Sequence, residues 1–129
     1  MLRPGWGVHR VIVERDQDRL LIGNFGVIGW GGNSGFGALN LAVQFGARRI
    51  VLVGFDMRLD QGIHWHGAHP QGLNNPQSAY VDRWRRVIDE AAPVLNALGI
   101  EVLNASPISA LRNYRKVDFV SAIADQQAA

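Results

Sequence analysis

The segment His64-Trp65-His66-Gly67-Ala68-His69 gathers three of the chain's four histidines within six residues. In an extended loop, alternating histidines present two imidazoles on one side, an arrangement used by first-row metals and by general bases, since imidazole titrates close to neutral pH. Two chemistries follow. His69 or His66 can remove a proton from an acceptor hydroxyl, with Asp56 orienting a hydroxyl. Alternatively, His64 and His66 can hold a divalent metal ion together with a carboxylate from Asp56 or Asp60. The plain alternative is that one or two of these rings hydrogen-bond the backbone of an ordered loop.

A second cluster is made of glycine. Seven of the 15 glycines fall between Gly23 and Gly37, and Gly31-Gly32-Asn33-Ser34-Gly35 separates an apolar run from an amphipathic one. Unpaired N–H groups and the dipole at a helix start favour an anion such as a phosphate. Gly32, Asn33, Ser34 and Gly35 are therefore candidate nucleotide- or anion-binding residues, and the Ser34 hydroxyl is a further donor. The spacing is neither G-x-G-x-x-G nor a P-loop, because no lysine follows the last glycine. A tight strand-to-helix turn capped by asparagine is the competing reading. Asp56 and Arg58 follow an apolar run directly; Asp56 suits a substrate hydroxyl and Arg58 a phosphate or carboxylate. Trp84 reads as core by its helical spacing, and the Arg83, Arg85, Arg86 run as a solvated face.

The elements that must position these residues can be read from periodicity. Residues 9–14 and 19–22 are short apolar runs separated by a polar stretch, which predicts an N-terminal hairpin. Residues 24–30 form a third run, followed by a helix with Asn33 or Ser34 as N-cap and Gly46 just past its end. Residues 49–55 are a continuous β-branched run, the pattern of a buried parallel strand. A long loop over 56–76 leads to an amphipathic helix from 77 to Gly99, interrupted by Pro93, and then to a strand at 100–103. Ser106-Pro107 predicts a short helix through Leu111, and 117–129 is a weakly helical tail. Alternating strands and helices imply an α/β fold, a mostly parallel sheet in three layers. The histidine loop and Asp56 then lie at the carboxyl edge of a strand, where open α/β sheets place ligands.

Composition bounds the rest. With 129 residues, 47% hydrophobic and 19% charged, one globular domain is expected. No cysteine is present, which removes thiol nucleophiles, Cys-ligated metals and disulfides and makes a cytoplasmic protein the expectation. The formal charge of +2 is spread without a basic block, so nucleic acid is not the partner indicated. No apolar run approaches the roughly 18 residues of a membrane span, and no leader pattern is present.

Residues 26–115 resemble a family. Gly31-Gly32-Asn33-Ser34-Gly35, the run ending Gly54-Phe55-Asp56, the His64–His69 loop, Asn74-Asn75-Pro76 and Ser106-Pro107-Ile108-Ser109-Ala110-Leu111 occur in the order found in phage- and prophage-encoded Rossmann-like proteins of unknown function. More distantly, the chain is similar to the 6-hydroxymethylpterin diphosphokinase-like domain and to bacterial CMP-sialic-acid-dependent sialyltransferases. In the sialyltransferases a Thr-Ser-Gly turn opens the helix, matched by Ser34-Gly35, and the second histidine of a His-Tyr-x-Gly-His loop is the catalytic base, matched by His69. Their Cys-Pro-x-Ser-x-Leu turn near the nucleotide matches Ser106 and Ser109. Met57 and Arg58 stand where those enzymes have tyrosines that hold the donor phosphate. In metallo-β-lactamase-type hydrolases the run is His-x-His-x-Asp-His, and Ala68 stands at the place of that aspartate. The resemblance implies the C-terminal half of a Rossmann-like fold, binding a nucleotide or nucleotide sugar and related to glycosyltransferases. Residues 1–25 are too few for a first βα half, so a homo-oligomer or a missing N-terminal half would complete the site. A metal-dependent hydrolase and a non-catalytic phage remnant or interaction domain are the alternatives.

Overall fold

The computed structural model describes residues 7–60 and 77–124. In chain order these form β1 (Ile12–Glu14), β2 (Val27–Gly29), α1 (Ser34–Gln44), β3 (Arg49–Leu52), α2 (Ser78–Ala97), β4 (Glu101–Asn104), β5 (Arg115–Lys116) and α3 (Phe119–Ala124). All strand pairings among the described residues are parallel. β1 pairs with β2, and β4 lies between β3 and β5. The protein is thus a mixed α/β chain with two short parallel sheets and three helices, and neither sheet closes on itself among these residues.

The main core is built where α1 and α2 meet β3. Phe36 and Leu39 of α1, Val87, Ile88, Ala91 and Leu95 of α2 and Leu52 of β3 are buried in one cluster with Leu20, Leu111 and Tyr114. Alternation along β3 sends Ile50 and Leu52 toward this cluster, and register places Val102 and Asn104 of β4 beside them on the same face. The sheet's carboxyl end therefore carries the row Leu52, Asn104, Lys116 across β3, β4 and β5. No helix of the described residues is long and apolar enough to cross a membrane.

The N-terminal hairpin is not formed. β1 and β2 run parallel, and residues 19–22, expected as the second hairpin strand, are not a strand at all. The reason lies in two polar side chains of α1. Asn40, fully buried, accepts from the Leu21 and Gly29 N–H groups at 3.0 Å each and donates to the Leu21 carbonyl at 2.7 Å. Gln44 donates to the carbonyls of Leu21 at 2.7 Å and Val27 at 2.8 Å and accepts from Gly26 N–H. Backbone groups that a hairpin partner would satisfy are satisfied by a helix instead, and Leu20 is free to enter the core.

The helix expected over 106–111 is also replaced, by a turn in which Ser109 N–H donates to the Ser106 carbonyl at 3.2 Å. Both serine hydroxyls are spent on the neighbouring loop. α2 keeps its predicted place despite Pro93. A proline in a helix leaves the carbonyl four residues earlier without its donor. That carbonyl, Asp89 O, accepts from the Asn113 side chain at 2.9 Å, while the Asp89 carboxylate accepts from the Arg112 and Asn113 N–H groups at 3.0 Å.

Candidate functional site

The glycine turn runs from the end of β2 into α1. Gly31 and Gly32 both have positive φ, 60° and 75°. A Cβ at Gly31 would stand 2.5 Å from the buried Phe36 ring, so both conformation and close packing demand glycine there. Asn33 is the N-cap: its side-chain oxygen accepts from Phe36 N–H at 2.9 Å and its NH2 donates to the Gly31 carbonyl at 3.1 Å. Among the described residues the Ser34 hydroxyl and the Ser34 and Gly35 N–H groups have no partner, and Ser34 is exposed. Those two N–H groups and the hydroxyl form the donor set of the helix start.

The loop after β3 packs against this turn. A Cβ at Gly35 would meet the Phe55 ring at 3.1 Å. Phe55 in turn anchors the turn after β4: its N–H donates to Ser106 Oγ at 2.9 Å, and its carbonyl accepts from Ser109 Oγ at 2.5 Å. Ser106 and Ser109 are buried, and the Asp56 carbonyl takes the Ala110 N–H at 2.8 Å. Gly32, Asn33, Ser34, Gly35, Asp56, Ser106 and Ser109 thus belong to three loops joined through Phe55, at the carboxyl ends of β2, β3 and β4. The two serine hydroxyls are committed within the protein, whereas the Ser34 hydroxyl is not.

Asp56 is half-buried and its neighbour Met57 has φ 52°, the one non-glycine in left-handed conformation among the described residues. Met57 packs on the core cluster, which holds this unfavourable backbone in place. Arg58 is engaged by Asp60, both of whose carboxylate oxygens accept from its guanidinium, and a further N–H reaches the Ile108 carbonyl at 3.1 Å. The Arg58 guanidinium holds the Asp60 carboxyl below the usual range. Asp60, one of two carboxylates suited to a metal, is therefore already ion-paired.

His64, His66 and His69, with the Asn74-Asn75-Pro76 turn, lie outside the described residues. Among the described residues no three His, Asp or Glu side chains gather as a metal site would require.

Four features of this edge have no clear signature in the sequence. Arg83, expected on a solvated face, is bidentate to Asp18 at 2.7 and 3.0 Å, and its guanidinium lies over the Trp30 ring at 4.7 Å. Arg83 keeps the Asp18 carboxyl below the ordinary aspartate value, with help from the Gly31 N–H, so an internal anion sits against the first glycine of the turn. Trp84, expected in the core, is half-buried, with its indole nitrogen 3.1 Å from where a Gly32 Cβ would be. Finally, the Asn104 side-chain NH2 is buried at the carboxyl end of β4 with no partner among the described residues, while its oxygen accepts from Ser106 N–H at 3.0 Å.

Comparison of the chain with models of protein families, with curated proteins and with solved structures gives no match.

Proposed function

We propose that the chain binds a nucleotide or nucleotide sugar at the carboxyl edge of its strands, as a Rossmann-like domain related to glycosyltransferases. The observation that carries this reading is the uncommitted donor set of Ser34 and Gly35 at the start of an 11-residue helix, tied through Phe55 to the Asp56 loop. A phosphate would accept from the Ser34 and Gly35 N–H groups and the Ser34 hydroxyl, where the helix dipole adds to the attraction. Asp56 would accept from a hydroxyl of the ligand, and Arg58 would add positive charge farther along the same loop. If an acceptor is activated, His69 or His66 would take its proton. Binding does not depend on that step.

Ser34→Asp tests the reading. A carboxylate at the first position of a helix is favourable to the helix, so thermal stability should hold or rise. The same carboxylate repels a phosphate. Calorimetric titration with CMP, CDP and CTP should give binding to the unaltered protein and at least about tenfold weaker binding to the variant, a difference of about 1.4 kcal/mol. No heat at millimolar nucleotide with folded protein would reject the proposal.

A further inference from the structure

A cleft is lined by the turn after β4, the loop after β3, α2 and β5. It is an open cleft of about 450 Å³, and its charged side chains are Arg58, Arg85, Arg112, Lys116 and Asp60. Four cations thus face one carboxylate. They come from four separate parts of the chain: the loop after β3, α2, the connection from β4, and β5.

How each charge is engaged decides what the cleft can take. Both oxygens of Asp60 accept from Arg58. Arg58 and Lys116 are held to the wall by backbone, through the Ile108 carbonyl at 3.1 Å and the Ser109 carbonyl at 2.7 Å. Arg85 has only an exposed contact with Asp82 at 3.2 Å, one turn away on its own helix. The Arg112 side chain has no partner among the described residues. The backbone donors beside it are all used, since Ser109, Ala110, Leu111, Arg112 and Asn113 N–H groups donate within the protein. An anion here would be held by side chains alone. Gathering like charges around a concavity is unfavourable in isolation, and a bound anion removes the repulsion. Two of the four cations, Arg112 and Lys116, have no carboxylate partner among the described residues, and with Arg58 and Arg85 beside them the cleft suits a group that offers several anionic oxygens at once. Guanidinium forks are suited to adjacent phosphate oxygens.

We propose that the cleft walled by Arg58, Arg85, Arg112 and Lys116 binds the diphosphate group of a small molecule. Apart from Arg58 and Ser109, whose hydroxyl is committed to the Phe55 carbonyl, it shares no residue with the nucleotide reading, and it stands or falls separately.

The test uses pyrophosphate as the probe, titrated by calorimetry at low ionic strength, where exposed charges are least screened. The unaltered protein should bind pyrophosphate at least about tenfold more tightly than phosphate. Arg85→Ala/Arg112→Ala should weaken pyrophosphate at least about tenfold, and circular dichroism should show an unchanged fold because neither side chain has a partner that holds the core. Arg10→Ala/Arg86→Ala removes the same charge elsewhere on the surface and should leave binding within about twofold. In a Ser34→Asp background, where the helix start repels phosphate, the loss on Arg85→Ala/Arg112→Ala should persist, which separates this site from the helix start. Equal loss in both arginine pairs, no difference between those pairs in the Ser34→Asp background, no binding of pyrophosphate, or binding of an oligonucleotide without pyrophosphate would each overturn the proposal.

Discussion

Asp18 and Arg83 stand 65 positions apart and meet carboxylate to guanidinium through two hydrogen bonds of 2.7 and 3.0 Å. The pair joins the chain between β1 and β2 to the solvent side of α2, beside the glycine turn. Each partner keeps about a third of its side chain exposed, so solvent screens part of the attraction.

Asp18→Asn should therefore cost about 1 kcal/mol at neutral pH, the upper end for an exposed pair, because the contact is bidentate. Since the folded protein holds this carboxyl below its ordinary value, the contribution is complete above about pH 4 and fades as pH falls through the lowered value. Urea unfolding at pH 7 should separate the two proteins, and the gap should narrow as pH falls below about 4. A constant gap would show that the charge is not what stabilises the contact.

Asn40 replaces a missing strand. Asn40→Leu keeps the branched shape at somewhat larger volume and removes the bonds to Leu21 and Gly29, leaving backbone groups unpaired, with an expected loss of about 3 kcal/mol. Denaturant titration gives the value. A loss under about 1 kcal/mol would mean that water reaches those groups.

Two glycines allow a ranking. At Gly29 a Cβ would lie 2.0 Å from the Arg19 carbonyl oxygen, a backbone atom that cannot swing aside. Gly46, past the end of α1, has φ 82° with nothing within 4 Å. Gly46→Ala should cost about 1 kcal/mol for its left-handed backbone, and Gly29→Ala more than about 2 kcal/mol. Thermal denaturation of the two proteins decides the order.

Tyr114 reports on alkaline stability. Its buried hydroxyl donates to the Ile88 carbonyl, and burial, with Asp89 nearby, pushes its ionisation up. The unfolded phenol loses its proton first, so this contribution is present below about pH 10 and is lost as pH rises toward the folded value. Tyr114→Phe should be less stable than the unaltered protein at pH 8, and the gap should narrow above about pH 10. A gap that is independent of pH would place the effect in packing.

The sequence carries the strand–turn–helix of β2 and α1, the buried strand β3, the amphipathic α2 and the strand β4, since each has a strong period or a clear end signal. Asn33 as cap and Gly46 past the helix are legible for the same reason. β3 ends at Leu52 rather than running to residue 55, because Phe55 turns its backbone toward Ser106 and Ser109. The expected hairpin and the helix at Ser106-Pro107 fail because groups distant in sequence take hydrogen bonds that the local signals anticipate: the Asn40 and Gln44 side chains in the first case, the Asp56 carbonyl and the Asp89 carboxylate in the second. β5 has two residues, Arg115 and Lys116, too few for any period, and only its register with β4 makes it a strand. In the candidate site, Gly32 to Gly35 and Asp56 are legible from their place beside strand ends. Asp18, Trp30 and Arg83 are not, since nothing in residues 15–18 marks a carboxylate that will meet α2.

Pro93 has a reach that its position in α2 does not suggest. Because its ring leaves the Asp89 carbonyl open, Asn113 has a fixed place to dock, and two residues on the chain enters β5 with Lys116 in the wall of the cationic cleft. An imperfection in one helix thereby acts as the address at which the last strand is delivered, and the composition of a ligand site is written partly in a residue that never faces it.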